Sequence, residues 1–430
     1  MFTNLPNSKL STSLDLNSEA LEDLAAQTKF VQRRNSRFSA SGFILGLLKS
    51  VTSGCASLQD LASIMDVDHN SSLSKQALHQ RMNERALEFV KKVIQQAISR
   101  KLPSLQMISS KGFNRILVQD ASSEKIHNAH AHQYVSSGCK SSSLAGFKLD
   151  LGVDLVSGSV YSSRLVSSVR NDKTSGDLLM DEVVSEGDLL LRDLGYYKQD
   201  AFIEAANKGA FLISRIPTNV RATDCETGRC INHILSNTTD DKLTLDVYIS
   251  SWLEPVRLVA TRATPEQAKQ KRHKAAVATN RQKKKKSANA DLRNDWHILV
   301  TNVPSSILSD EEVVALYQAR WQIEIIFKAW KQSWNPEKSL RYQRNPWHME
   351  CLIHASLLWL ILTLQTTVVQ QCQRPSRELS VVRVAKALYH HLLRCQYFDD
   401  LFVFRPDIRS IRSAPRSRKS LISTLASALS

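Results

Sequence analysis

Tyr317-Gln-Ala-Arg-Trp-Gln-Ile-Glu-Ile-Ile-Phe-Lys-Ala-Trp-Lys331 decides how this chain is read. At about 100° per residue, Tyr317, Arg320, Glu324 and Lys331 fall within an arc of about 60° on one helix, with Lys328 beside it. Around that stripe the helix is apolar: Leu316, Ile323, Ile325, Ile326, Phe327, Ala329 and Trp330. Unpaired charge is costly to bury, so such a polar stripe has to face a partner or a wet cleft. One acid flanked by two cations and a phenol suits a carboxylate metal ligand among phosphate-holding groups. The same spacing also suits a plain Arg320–Glu324 ion pair one turn apart, and spacing alone leaves both readings open. The helix is expected to run from Asp310 to about Trp334.

Upstream, the texture is that of strands. Arg115-Ile-Leu-Val-Gln-Asp120 is a short β-branched run ending in a carboxylate. Phe147 to Val156 and Ser159 to Val166 alternate at period two and meet at Ser157-Gly158, a hairpin signal. Asp188-Leu-Leu-Leu-Arg-Asp193 is a strand ending in a second carboxylate; a helix over 199–208 and strands over 210–216 and 296–302 follow. The order predicts a mixed α/β sheet, with Asp120 and Asp193 at strand ends where their carboxylates reach a shared cleft. A carboxylate at a strand end is also an ordinary cap or turn former. Residues 217–291 interrupt this rhythm, with short strands expected at 242–250 and 255–261. A basic run follows: Arg262, Lys269, Lys271, Arg272, Lys274, Arg281 and Lys283 to Lys286. Such a run is either a solvated segment or one that tracks phosphates.

Residues 18–105 read as helical and polar. Leu58, Leu61, Ala62 and Met65 form one helix face, a turn is expected over Asp66 to Ser72, and Ser74 caps a helix from Lys75 to Met82. Another helix spans 86–98. This is either a helix-turn-helix that presents Lys75, Gln76, His79 and Gln80 to a DNA groove, or a plain bundle. In 430 residues, 57 Lys+Arg against 41 Asp+Glu leave a formal charge of +16, which points to an anionic partner, nucleic acid first. A hydrophobic share of 42% excludes wholesale disorder.

Seven scattered cysteines without a C-x-x-C pair exclude a disulfide framework and a structural zinc site. Gly138-Cys-Lys-Ser141 lacks the upstream glycine of a P-loop. Met1 to Phe30 holds no apolar run like that of a signal peptide, and the run from Leu352 to Val369, broken by His354, Ser356, Thr363 and Gln365, reads as a buried helix. A cytoplasmic, nucleoid-associated protein is the expectation.

The spacing Tyr317-x2-Arg320-x3-Glu324-x6-Lys331 resembles the YREK signature of the insertion-sequence-four family of DDE transposases, and the likeness extends across 317–331. Asp120-Ala121-Ser122 resembles that family's first aspartate motif and Asp193-Leu194-Gly195-Tyr196 its second. There the family carries Arg after the aspartate, where this chain has Leu194, with Arg192 before Asp193. The resemblance implies an RNase H-like catalytic core (106–216 and 292–372) carrying a β-rich basic insertion (217–291). An N-terminal helical DNA-binding domain (1–105) would precede it and a C-terminal helical and basic tail (373–430) follow. Asp120, Asp193 and Glu324 would hold two Mg²⁺ ions, with Mn²⁺ able to substitute. Tyr317, Arg320, Lys328 and Lys331 would grip DNA phosphates, and Trp296 would either stack on a flipped base or sit in the core. The implied function is a transposase that binds terminal inverted repeats in double-stranded DNA, cuts the ends and joins their 3′-hydroxyls to target DNA, as a homodimer in a synaptic complex. A catalytically inactive DNA-binding repressor and another RNase H-like nuclease are the rival readings.

Overall fold

The computed structural model describes residues 16–32, 38–69, 73–100, 111–136, 144–170, 183–198, 200–250, 254–282, 290–374 and 377–413. Gly138 to Ser141, Lys283 to Lys286 and the side chain of Arg281 lie outside the described residues.

The N-terminal part is helical: α1 (Ser18–Gln27), α2 (Ala40–Ser53), α3 (Leu58–His69), α4 (Lys75–Arg81) and α5 (Glu84–Ser99). Asn17, Ser39, Ser74 and Asn83 each accept a backbone N–H in the first turn of the helix that follows. Gly54, at φ +72°, ends α2 in the left-handed conformation that costs glycine least. Helix α3 runs on to His69, so it takes up part of the expected turn. The expected polar character fails at α2, where Phe43, Ile44, Leu45, Leu47 and Leu48 are all buried.

Ten strands among the described residues form one sheet. They are β1 (Ile116–Lys125), β2 (Val135–Ser136), β3 (Leu144–Asp154), β4 (Val160–Ser167), β5 (Leu189–Arg192), β6 (Phe211–Arg215), β7 (Ala222–Asp224), β8 (Lys242–Ile249), β9 (Val256–Arg262) and β10 (Trp296–Thr301). The spatial order is β2-β3-β1-β5-β6-β10-β9-β8-β7, with β4 on β3. β1, β5 and β6 are parallel, β3 pairs antiparallel with β1, and β4 pairs antiparallel with β3. An antiparallel meander that ends on β1, followed by two strands parallel to it, is the RNase H-like order. The β3–β4 turn turns on Gly158, at φ +67°, where an added Cβ would lie 2.4 Å from Val368. The insertion's strands β7, β8 and β9 continue this sheet through β10 instead of forming a separate one.

The remaining helices are α6 (Ala201–Asn207), α7 (Ile231–Asn237), α8 (Pro265–Gln282), α9 (Ala290–Asn294), α10 (Asp310–Ala319), α11 (Gln322–Ser333), α12 (Pro336–Leu340), α13 (Pro346–Gln373), α14 (Val381–Leu392) and α15 (Ile408–Ile411). Strand alternation divides the core in two. Ile116, Val118, Leu189, Leu191 and Ile213 face one cluster with α11, α13 and the N-terminal helices, and Leu117, Leu190 and Leu212 face the other with α6. α13 spans 28 residues and is apolar enough to cross a membrane, but 78% of its apolar window is buried, as expected of a core helix. It packs against α2, α5, α11 and α14. The N-terminal helices therefore share a core with the sheet, and α14 braces α11 instead of trailing as a tail.

Candidate active site

The site lies where β1, β5 and β6 end. β1 does not stop at Asp120, as the sequence suggested, because β3 pairs with it as far as Lys125. Its pairing with β5 ends at Val118–Leu191, so Asp120 emerges beside the end of β5. Asp193 follows β5 in extended conformation at the head of a 3₁₀ turn, and its side chain makes no capping bond. The capping alternative therefore fails for Asp193. Counted from Val118–Leu191, both aspartates lie two residues on, with the parity of the residues that face α11.

The expected single helix over 310–334 is two. Ser309 and Glu312 form a reciprocal capping box that starts α10. At Arg320 and Trp321 the backbone tightens: the N–H groups of Arg320, Trp321, Ile323 and Glu324 donate to carbonyls three residues back, at 3.1–3.2 Å. The polar stripe survives this tightened turn. Arg320 Nη2 donates to Glu324 Oε1 at 3.2 Å, and its Nε stands 3.7 Å from Asp193 Oδ1. One guanidinium thus bridges the second and third carboxylates, so the Arg320–Glu324 pair exists as part of the cluster and not as an alternative to it.

Burial, with Asp193 and Glu324 close by, pushes the Asp120 carboxyl up to about 6, against the pull of the Ala121 N–H and of Arg320. Tyr317 packs below Arg320, whose guanidinium carbon is 5.9 Å from the ring centre, and burial raises its hydroxyl to about 12. Tyr317 Oη and Arg320 Nε are buried polar atoms without a well-formed hydrogen bond among the described residues, Arg320 Nε meeting Asp193 only at 3.7 Å and the Tyr317 hydroxyl lying by Arg320. Unsatisfied buried donors are costly and mark a place that a ligand's acceptors complete. Lys328 and Lys331 are exposed on α11, and Lys331 Nζ pairs with Glu124 Oε1 at 2.5 Å.

Trp296 is a correction. It opens β10 on the opposite face of the sheet, 2% exposed, with the Arg262 guanidinium 4.5 Å above its ring. A base cannot reach it there. The exposed aromatic near the carboxylates is Trp321, at the tightened turn. Arg192 likewise points away, buried on the face opposite Asp193. The cation beside Asp193 is Arg320, and a second cation, Arg215, is carried by the next strand on the same face. Arg215 lies one residue beyond Arg192–Ser214, with the parity of Ile213 that faces the site, and its charge is felt at Tyr317. Among the described residues Arg215 has no ion pair. Sequence reading missed it because the register between β5 and β6 is not visible in a single chain.

Several cations of the basic run take partners within the chain, at positions that keep contact with solvent. Arg262 pairs with Asp241, Arg272 with Asp295, and Lys271 Nζ donates to the Trp296 carbonyl at 3.0 Å. Burial and Arg215 lower the Lys271 ammonium to about 8. Lys269 and Lys274 are exposed.

Three carboxylates and a buried cation thus gather on one side of a sheet with the RNase H-like strand order. The transposase DDE domain model matches residues 111–362, more than half of the chain, and the chain belongs to that family. It is a DDE transposase of the insertion-sequence-four group, acting on DNA with divalent metal. The transposase of insertion sequence element IS231F from Bacillus thuringiensis subsp. israelensis is 28% identical over 405 residues, 87% of this chain and 83% of that one. The transposase of IS1151 from Clostridium perfringens is 28% identical over 391 residues, 82% and 78% of the two chains. The piggyBac transposase synaptic complex with hairpin DNA is similar at a TM-score of 0.47 and 12% identity, over 99% of this chain and 86% of that one, a likeness too slight to carry any inference.

The donor set suits a hard divalent cation, since carboxylate oxygens are the ligands such ions prefer. In this geometry no three His, Cys, Asp or Glu side chains among the described residues converge enough to enclose one. At the carboxylate cluster, Arg320 supplies the positive charge between Asp193 and Glu324.

Proposed function

We propose that the chain binds the terminal inverted repeats of its own element, cuts the DNA at the ends and joins the freed 3′-hydroxyls to target DNA. The observation that carries this reading is Arg320 bridging Asp193 and Glu324 next to Asp120, with the buried Tyr317 hydroxyl beside them. Asp120, Asp193 and Glu324 would hold two Mg²⁺ ions, or Mn²⁺ in their place. Bound there, the ions supply Lewis-acid stabilisation of the phosphodiester and a lowered pKa for the attacking water or hydroxyl.

The rest is the work of the chain. Arg320 exchanges its carboxylate partners for a phosphate, a planar fork that matches two oxygens. Tyr317 Oη donates to the same group and keeps its proton, since its pKa is near 12. Arg215 holds a phosphate from the β6 side, Lys328 holds the strand along α11 together with Lys331, whose ammonium keeps its Glu124 ion pair while it faces the strand, and Trp321 offers a stacking surface. Lys75, Gln76, His79 and Gln80, all exposed around α4, read the end sequence. Residues 1–105 then serve recognition, 106–216 and 292–372 catalysis, 217–291 a basic insertion and 373–430 a C-terminal helical and basic tail. Two ends have to be processed together, which asks for a homodimer in a synaptic complex at the nucleoid.

Glu324→Gln tests the reading. Mg²⁺-dependent nicking should fall by orders of magnitude while end binding persists and the melting temperature hardly moves. Near-normal nicking would overturn it.

A further inference from the structure

Glu124 lies on β1 four residues past Asp120 and shares its face. Its carboxylate is largely buried, 14% exposed, and accepts the Lys331 ammonium at 2.5 Å. β1 and α11 run side by side in the same sense: Asp120 feels Glu324 at one end, and Glu124 holds Lys331 at the other. The spans agree, since four strand residues cover about 13 Å and seven helical residues about 10 Å. Glu324 itself reaches β1 only through charge; its hydrogen bond goes to Arg320 on its own helix.

We propose that Glu124 is a positioning residue: through Lys331 it ties the last turn of α11 to β1 and so sets the separation of the Asp120 and Glu324 carboxylates. This rests on those carboxylates being the metal site. With its carboxylate half largely buried on β1, this ion pair holds its geometry better than a fully solvated one, and residues that orient metal ligands typically influence affinity about 10- to 100-fold.

The test uses the full chain and Mn²⁺ alone as probe, followed by paramagnetic resonance of the free ion, with melting temperature and nicking kinetics on the same preparations. Glu124→Gln should bind Mn²⁺ about tenfold or more weakly and lose kcat, with little change in KM for end DNA, and Glu124→Asp should recover part of both. Should Glu124→Gln fold poorly, the exchanged pair Glu124→Lys with Lys331→Glu keeps an ion pair between β1 and α11 and should regain Mn²⁺ affinity. Wild-type Mn²⁺ affinity in Glu124→Gln would overturn the proposal, as would unimproved affinity in a folded exchanged pair. Tighter DNA binding with raised kcat in Glu124→Gln would also overturn it, showing that Glu124 restrains Lys331. Asp120→Asn is the separate control: if it keeps wild-type Mn²⁺ binding, the metal-site reading itself has failed.

Discussion

Asp120 and Asp193 stand level on neighbouring parallel strands, each two residues beyond Val118–Leu191, and both turn to the face covered by α11. Two like charges at one height repel, and Arg320 offsets that repulsion by lying against Asp193 and Glu324. The carboxylate cluster is thus balanced by a cation of its own. A carboxylate partly buried beside two others should leave a mark on stability, and Asp120 provides it.

The Asp120 carboxyl titrates near 6 in the folded chain against an ordinary 3.8. Between those values the folded chain holds a proton that the unfolded chain has released, so this group favours folding at low pH. That contribution fades as pH rises through about 6. In chelator, Asp120→Asn should therefore melt higher than wild type at about pH 8, and the advantage should shrink at about pH 5. Calorimetry of both proteins at the two pH values measures this. A constant difference would show that the Asp120 carboxyl is not raised.

Arg215 gives the second prediction. Arg215→Gln removes a cation with no ion pair among the described residues, so folding should change by no more than about 0.5 kcal/mol. If Arg215 meets a phosphate, the slope of log K against log salt should fall by about 0.9. Filter binding across a salt series reads the slope directly, and an unchanged slope would remove Arg215 from the DNA surface.

Much of this site was legible from the chain. The Tyr317–Lys331 stripe lies together because helix geometry is local, and Asp120 and Asp193 were found because apolar strands lead into them. Three features were hidden, each for a physical reason. The tightened turn at Arg320–Trp321 contains neither Gly nor Pro, so no residue announces it. Arg215 reaches the site through strand register, which is set by long-range pairing. Trp296 was ambiguous because the face of β10 that meets the core depends on the same register. Part of the charge run was not legible either, since Arg262, Lys271 and Arg272 take partners within the chain.

The two tryptophans separate by experiment. Trp296→Ala should cost about 3–5 kcal/mol, the usual loss for emptying a large core site. Trp321→Ala should leave the melting temperature nearly unchanged and reduce the quenching of 2-aminopurine placed at the cleaved end, because base stacking on an aromatic is worth about 1–3 kcal/mol. Normal quenching by Trp321→Ala would exclude it as a stacking surface.

The N-terminal helices set the last prediction. α5 and α2 cover one side of α13, and Leu45, Leu48, Phe89, Val90 and Val93 belong to the same core as Ile116, Leu357 and Leu358. Removing residues 1–105 would strip that side of α13 and leave a large apolar patch in water, which proteins do not tolerate as soluble monomers. The truncated chain should therefore aggregate, and end recognition has to be tested in the intact protein. Lys75, Gln76 and His79 are exposed around α4, while Leu78 anchors that helix from the buried side. The triple variant Lys75→Ala, Gln76→Ala, His79→Ala should keep its fold within about 1 kcal/mol. Its affinity for the element's own ends should approach its affinity for random DNA, because lost base contacts lower specific binding more than general phosphate binding. Competition binding between end DNA and random DNA gives the ratio. An undiminished preference would move end recognition away from α4.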